Sequence, residues 1–191
     1  MTIRIVRWDS LSETPWKNGG GVAVDIVTAP ASATGDRFDW RINVATIARS
    51  GPFSAYPGVD REFRLIDGGP LTLRVGDREA VELEPGGDGV AFPGDVPTRV
   101  ELAGPPCRAF NVLARRRAFT AAVEHWTGEG LPTIHRHGAD QVTAFLLDGP
   151  AAVAGVRQAL QPFDTIVADE DIRLVTLGPV HLLVARTART A

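Results

Sequence analysis

Apolar and polar residues alternate in short stretches along most of the chain. Clusters of Gly, Pro, Asp and Ser separate these stretches, and alternation with period two predicts strands that bury one face. No segment keeps a 3.6-residue apolar period over three turns, so we expect little helix beyond a single turn at residues 9–14. The predicted strands are residues 2–8, 22–28, 38–47, 61–66, 71–75, 79–83, 89–92, 98–102, 107–113, 120–126, 141–147, 156–160, 165–168, 172–177 and 180–186.

Strands at this spacing indicate an all-β protein built as a sandwich or barrel. A weak internal repeat indicates that this unit is duplicated, because Leu83-Glu-Pro85 followed by Asp88-Gly-Val-Ala91 resembles Leu160-Gln-Pro162 followed by Asp164-Thr-Ile-Val167. Two glycines and a proline interrupt the strand pattern at residues 127–132. We therefore expect two similar β-sandwich halves packed into one unit, residues 1–120 and residues 121–191.

Composition narrows the functional classes. A chain of 191 residues with 44% hydrophobic and 23% charged residues is typical of a folded globular protein. Its net charge of −3 gives no overall attraction to nucleic acid or to an anionic membrane. No apolar run approaches the roughly 20 residues that span a bilayer, and the N-terminus lacks the apolar core of a signal peptide. We expect a cytoplasmic protein with neither a nucleic-acid nor a membrane partner.

The stretch Pro15-Trp-Lys-Asn-Gly-Gly-Gly21 precedes one of the predicted strands and contains Lys17, the only lysine in the chain. A phosphate-binding loop would require a helix after the glycines, whereas the residues that follow alternate as a strand. The glycines are therefore expected to permit unusual backbone angles or close approach of strands, which directs Trp16, Lys17 and Asn18. A simple bulge at the start of a strand is the alternative.

Two further stretches carry candidate binding residues. Arg41 and Asn43 share one face of a predicted strand because they are two residues apart, and Arg61 follows the turn-rich loop of residues 51–58. Arginine binds carboxylates through two parallel hydrogen bonds, so Arg41, Arg61 and Lys17 would together suit a carboxylate ligand. For any one of these arginines taken alone, a surface or strand-pairing role is the commoner one. The basic cluster at residues 115–117 is interpreted as a solvated bend after a strand.

Covalent catalysis has no recognisable residues in this sequence. There is no evident Ser-His-Asp or Cys-His arrangement, so we assign no catalytic residue. Cys107 is the single cysteine, which excludes an internal disulfide and a multi-cysteine zinc site. It is interpreted as a buried strand residue.

Five segments, in this order and at these separations, resemble the HutD family, which also includes the Ves proteins. They are PWKNGGG, WRINVATI, SGPFSAYPGVDR, FPGD and AFNVLARRR. The resemblance is strong over residues 5–117 and rests on strand pattern alone in the last third of the chain. The sequence departs from the family at Ala23, where threonine is usual, and at Asn43, where serine is usual.

The resemblance implies a bicupin fold and a regulatory role in histidine utilisation, with a small acidic metabolite as partner. Urocanate and formylglutamate are the candidate ligands. The implied pocket has Lys17, Arg41 and Arg61 for anion pairing, Asn18 and Ser54 for hydrogen bonding, and Trp16 and Phe53 as apolar walls. Because cupins often pair through sheet edges, the resemblance also allows a homodimer.

Many cupins bind a metal through closely spaced histidines and an acidic residue. The only His-x-His here, His135-Arg-His137, lies in a predicted loop and lacks an acidic residue at a matching strand position. We therefore expect no metal and no other cofactor. Two alternatives to a ligand-binding regulator stay open: a metal-independent cupin enzyme, an isomerase or hydrolase that uses Lys17 as a base, and a regulatory adaptor that binds a protein partner.

Overall fold

A computed structural model describes residues 2–16 and 19–190 of the protein. Within these ranges the only helix is one 3-10 turn at Trp8–Ser10, and none is long and apolar enough to cross a bilayer. The all-β prediction is confirmed. The strands are β1 (Ile3–Val6), β2 (Glu13–Pro15), β3 (Gly21–Ala29), β4 (Trp40–Ile47), β5 (Gly51–Pro52), β6 (Val59–Gly68), β7 (Leu71–Val75), β8 (Val81–Leu83), β9 (Val90–Pro93), β10 (Thr98–Leu102), β11 (Cys107–Arg115), β12 (Phe119–Gly128), β13 (Thr133–Ile134), β14 (Gln141–Asp148), β15 (Ala151–Val153), β16 (Thr165–Ala168), β17 (Ile172–Thr176) and β18 (Val180–Arg189).

The short strands β5 and β13 were not predicted, and two further stretches differ from the sequence-based prediction. Residues 156–160 form no strand, and the strand of this region is β15, which an isolated bridge joins to Ala159. Gly155, with φ of +82°, turns the chain soon after β15 and so ends the extended stretch. The helical turn predicted at residues 9–14 begins earlier and is shorter, and β2 forms at its end.

Residues 12–119 form one unit of two sheets. The larger sheet of the described residues has the order β2-β3-β4-β11-β6-β9, and the smaller has the order β5-β10-β7-β8. The alternating strands bury one face each, and side chains such as Phe63, Leu65, Leu73, Val100 and Ala109 fill the space between the sheets. This interior contains the candidate site.

The chain up to Leu11 and from Thr120 onward forms the other unit. In the described part of this unit the sheets have the orders β1-β16-β14-β18-β12 and β13-β17-β15, with Val142, Leu146 and Ile166 in the core. The sequence predicted halves of residues 1–120 and 121–191. The structure groups the first strand with the C-terminal part, because β1 pairs antiparallel with β16.

The described residues of the PWKNGGG stretch, Pro15, Trp16 and Gly19–Gly21, lie where the antiparallel strands β2 and β3 meet. Trp16 N donates to Gly21 O at 2.9 Å, and Gly19, with φ of +67°, donates to Trp16 O at 3.0 Å. A Cβ atom on Gly21 would lie 1.9 Å from the carbonyl oxygen of Thr46 on β4, so only glycine permits this approach of the two strands. The glycines thus provide close approach and an unusual backbone angle, as predicted. Lys17 and Asn18 lie outside the described residues.

Candidate functional site

One end of the interior face of the larger sheet in residues 12–119 is polar. Residues opposite each other on antiparallel strands point to the same face, and Arg41, Leu113 and Arg61 form one row across β4, β11 and β6. In the next row Asn43 lies opposite Asn111. Because neighbouring strands are about 4.8 Å apart, the Cα atoms of Arg41 and Arg61 are separated by about 10 Å. The fold therefore brings two predicted cations to one face.

Arg61 places its guanidinium inside this polar end. The residue is only 8% exposed, and Nη2 donates a hydrogen bond to Asn111 Oδ1 at 2.9 Å. Within residues 2–16 and 19–190, buried Nε has no hydrogen-bond partner and no carboxylate pairs with the guanidinium. Among the described residues, the buried guanidinium thus has one side-chain hydrogen-bond partner, the amide of Asn111, and its Nε donor has none.

Three aromatic rings surround the Arg61 guanidinium. Its Cζ atom lies 4.8 Å from the ring centroid of Phe53, 5.1 Å from that of Phe92 and 5.9 Å from that of Tyr56. A cation within about 6 Å of a ring face is attracted by the negative face of the π system. These rings stabilise the charge of Arg61 without neutralising it.

Burial dominates the protonation equilibrium of Arg61. Withdrawing the guanidinium from water disfavours its charged form, and this desolvation lowers the pKa of Arg61 to about 10, with a smaller opposing effect from Tyr56. Arg61 therefore remains a cation near neutral pH. An anionic ligand with two oxygen atoms could supply both the missing charge and the missing acceptors.

Backbone hydrogen bonds fix the loop that carries two of the rings. Phe53 N donates to Thr98 O at 2.9 Å, and Tyr56 N donates to Gly94 O at 2.7 Å. Gly94 itself donates to the backbone of β6 at Val59 O, at 2.7 Å. The rings are consequently held beside Arg61 by the sheets and do not depend on a ligand for their position.

Asp95 joins this loop to the end of β11. Its carboxylate accepts hydrogen bonds from Arg116 Nη2 at 3.0 Å and from Gly58 N at 3.2 Å. The Arg116 hydrogen bond and then the Gly58 amide hold the pKa of Asp95 below its ordinary value. Residues 116 and 117 form an exposed turn after β11, as predicted. Arg116 also contacts Asp60 of β6 at 2.8 Å, so it joins β6 to the turn that contains Asp95.

Arg41 faces the same interior but is already engaged by the protein. Its guanidinium donates to the Gly35 carbonyl, lies 4.4 Å from the ring centroid of Phe38, and has Nε 3.7 Å from Asp25 Oδ2. The Phe38 ring in turn lies 6.1 Å from that of Tyr56. Arg41 and Arg61 therefore contact different rings, and Arg41 has an acidic neighbour where Arg61 has none within the described ranges.

The other predicted site residues fall into three groups. Trp16 and Phe53 join the aromatic cluster, because their rings meet edge to face at 6.1 Å. Ser54 is exposed, and no hydrogen bond from its side chain is found in the described part of the chain. The assignments to Lys17 and Asn18 lie outside the described residues.

Sequence reasoning missed Asn111, Tyr56 and Phe92. Each lies in a segment that carried the family resemblance, but none was assigned to the site. Asn111 had a detectable signal, because it is the one polar residue in the apolar run of residues 109–114, and the structure shows it 1% exposed. Buried polar side chains need partners, and Asn111 finds one in Arg61.

Residues with metal-binding or nucleophilic chemistry lie elsewhere. Among the described residues, no group of three or more His, Cys, Asp or Glu side chains is arranged to hold a metal ion. His135 Nδ1 lies 2.9 Å from Asp171 Oδ2 on the surface. Cys107 is buried in β11, as predicted, and burial, reinforced by Asp67, raises the pKa of its thiol to about 11.

Comparison with known proteins identifies the family. The sequence model described as HutD matches residues 9–184. The chain belongs to the HutD family. It is 30% identical over 126 residues to the "Uncharacterized 21.2 kDa protein in hutC 3'region" of Pseudomonas putida, which covers 66% of this chain and 65% of the relative. It is 36% identical over 109 residues to Protein Ves of Cronobacter sakazakii, covering 56% of this chain and 58% of that protein. These matches span less than two thirds of either relative.

Solved structures extend the likeness to the whole chain. HutD from Pseudomonas fluorescens SBW25 has a TM-score of 0.83 at 26% identity, with 100% of both chains covered. A Bacillus subtilis oxalate decarboxylase variant has a TM-score of 0.68 at 10% identity, covering 97% of this chain and 77% of that one, which supports the cupin-like fold alone. The HutD family is linked to the histidine-utilisation locus.

Proposed function

We propose that this HutD-family protein binds a small carboxylate at Arg61 and regulates histidine utilisation without catalysing a reaction. The observation that carries the proposal is the buried Arg61 cation, which has an unused Nε donor and no acidic partner within the described ranges. Burying an unpaired charge costs several kcal/mol. An arriving carboxylate would offset this cost, and the rings of Phe53 and Phe92 would shield the resulting ion pair from water.

Urocanate and formylglutamate are the ligands that we propose. The family's link to histidine utilisation supports a carboxylate of that pathway, and the flat rings around Arg61 would pack well against a conjugated acid such as urocanate. Asn111 would orient the guanidinium for the ligand through the hydrogen bond that it already accepts. The proposal also includes a bicupin architecture, with one cupin-type sandwich in each unit, and the two-sheet construction of both units supports it.

The chemistry around Arg61 favours binding over turnover. An arginine with a pKa of about 10 keeps its proton at neutral pH and is a poor general base. The neighbouring groups are an amide and aromatic rings, which orient a ligand and exclude water. The enzyme alternative depends on Lys17, which lies outside the described residues.

Isothermal titration of the metal-stripped protein with urocanate, formylglutamate, formiminoglutamate and glutamate tests the proposal. We expect saturable binding of at least one acid, weakened by about tenfold or more in Arg61→Met, because a hydrogen-bonded charge pair is lost. Arg74→Met is the matched control, since Arg74 lies on β7 of the same unit and is half exposed beside Glu101. Equal affinity in wild type and Arg61→Met would refute the site.

The same samples test the absence of catalysis. After prolonged incubation with each acid, chromatography should recover the acid unchanged. Formation of a product would overturn the non-catalytic proposal, and loss of that product in Lys17→Met would assign the base. If none of the four acids binds, the carboxylate proposal fails and the adaptor hypothesis takes its place.

A further inference from the structure

A concave surface away from the Arg61 residues lies in the unit that contains β1 and the C-terminal strands. It is a groove of about 570 Å³, lined on one side by the residues that follow β1 and on the other by the loop before β16. Sites of roughly 300–1,000 Å³ accommodate small molecules. We call it the Trp8 groove, after the aromatic residue in its wall.

The floor of the Trp8 groove is rigidly built around Asp164, which is 2% exposed. Its carboxylate accepts hydrogen bonds from Arg7 Nη1 at 2.6 Å, from Trp8 N at 3.0 Å and from Gln161 N at 2.9 Å. Three donors from both walls thus converge on one buried carboxylate. Arg7 is fastened further, because Nη2 donates to Gln158 Oε1 at 2.9 Å.

The rim of the groove carries polar side-chain groups that have no hydrogen-bond partner among the described residues. Trp8 meets Phe163 edge to face at 5.3 Å, and the Phe163 ring stacks on Phe145 at 5.2 Å, which fixes the indole in place. In the described ranges no hydrogen bond involves the Asp9 carboxylate, the Trp8 indole nitrogen or the Gln161 amide side chain. An aromatic ring, a carboxylate and an amide therefore line one rigid concave surface.

The charge of the lining decides what class of ligand this surface suits. Arg7 and Asp164 neutralise each other in an ion pair of 2.6 Å. Among the residues that the structure describes, no cation forms an ion pair with Asp9, which lines the groove together with Trp8. Tryptophan is the best aromatic partner for a cation, so both features favour a positively charged ligand and disfavour the carboxylates proposed for Arg61.

We propose that the Trp8 groove binds a small organic cation, with its ammonium or imidazolium group between the Asp9 carboxylate and the Trp8 ring. The amide of Gln161 supplies hydrogen bonds to polar substituents of the ligand. This site is independent of the proposed carboxylate function, because it shares no residue with the Arg61 site.

Nitrogen-15 NMR of the full chain, with benzyltrimethylammonium chloride as the probe, tests the inference. The four tryptophans give four indole N–H signals, and the Trp8 signal is the one absent from Trp8→Phe. We expect a saturable shift of the Trp8 signal and a stationary Trp16 signal. Asp9→Asn should weaken binding by about threefold or more, because an exposed charge pair is lost, whereas Asp77→Asn in the other unit should not.

Three results of these titrations would overturn the proposal that the Trp8 groove binds a cation. A Trp8 signal that does not shift with the cation overturns it, as does equal affinity in wild type and Asp9→Asn. A saturable shift with maltose in place of the cation would assign a neutral sugar and also overturn the charge argument. Arg61→Met should bind the probe as wild type does, so failure at the carboxylate site and failure at the Trp8 groove are distinguishable.

Discussion

Replacing Arg61 by methionine should make the unliganded protein more stable while it weakens carboxylate binding by about tenfold or more. Burial lowers the pKa of Arg61 to about 10, and this shift corresponds to roughly 3 kcal/mol of unfavourable burial for the charged form. Methionine removes that cost and packs against aromatic rings. It also forfeits the hydrogen bond to Asn111 and the attraction of the rings, about 1 kcal/mol each. The net gain in the free energy of unfolding is about 1 kcal/mol.

Urea denaturation at pH 7 measures this gain, with Arg74→Met expected within about 0.5 kcal/mol of wild type because Arg74 is a surface residue. A saturating carboxylate should reverse the order, since ligand at 100 times its dissociation constant stabilises wild type by about 2.7 kcal/mol and a variant that binds at least tenfold more weakly by about 1.4 kcal/mol or less. An Arg61→Met protein that is less stable than wild type by 2 kcal/mol or more would refute the reasoning, because the rings and Asn111 would then outweigh desolvation.

The pH dependence supplies an independent check on the same substitution. Because the folded pKa of Arg61 is lower than its unfolded value, the burial penalty is fully present well below pH 10 and is relieved as pH rises through the folded pKa of about 10. At pH 11, one unit above the folded pKa, the relief is about 1.4 kcal/mol. The stability difference between variant and wild type should therefore disappear by pH 11, and a difference that stays constant from pH 8 to 11 would contradict the assignment.

Three other substitutions test the surroundings of the site. Asn111→Asp adds a carboxylate at the position that Arg61 already contacts at 2.9 Å, so an internal ion pair should form and ligand affinity by calorimetry should fall about tenfold or more. Gly21→Ala should destabilise the chain by more than about 3 kcal/mol in urea denaturation, since the new Cβ meets a backbone oxygen, whereas Gly51→Ala, in open space, should change little. Asp95→Asn should lower the melting temperature at pH 7. That difference should vanish as pH falls through the depressed pKa of Asp95, below 3.8, because the contribution of a carboxylate with a lowered pKa is lost on protonation.

The sequence predicted the strands of this protein well because alternation depends only on neighbouring residues. In β6, for example, burial alternates from Val59 to Leu65 as the sequence pattern requires. The pairing of β1 with β16 could not be predicted in this way, since it joins residues more than 150 positions apart and leaves no local signal. Residues 156–160 misled the prediction because Gly155 changes the chain direction.

Only the part of the site that depends on alternation along a single strand could be predicted from the sequence. That Arg41 and Asn43 share a face follows from one strand alone, whereas the approach of Asn111 to Arg61 depends on the register between β11 and β6. The positions of the Phe53 and Tyr56 rings depend further on a loop that is hydrogen-bonded to β10 and to the turn after β9. Side-chain chemistry could therefore nominate Arg61 and Phe53, but only tertiary structure reveals which partners they have.

Comparison among the arginines of this chain gives the strongest argument that Arg61 serves a ligand. Arg115 is held by backbone carbonyl oxygens, but three other arginines that fasten the fold have a counter charge: Arg7 has Asp164 at 2.6 Å, Arg116 has Asp60 at 2.8 Å, and Arg186 has Glu124 at 2.7 Å. Arg61 is more deeply buried than these three and receives only an amide and three rings within the described residues. A residue whose role was to stabilise the fold would be better replaced by an apolar side chain of similar volume. The missing anion at Arg61 is therefore best explained as one that arrives from solution.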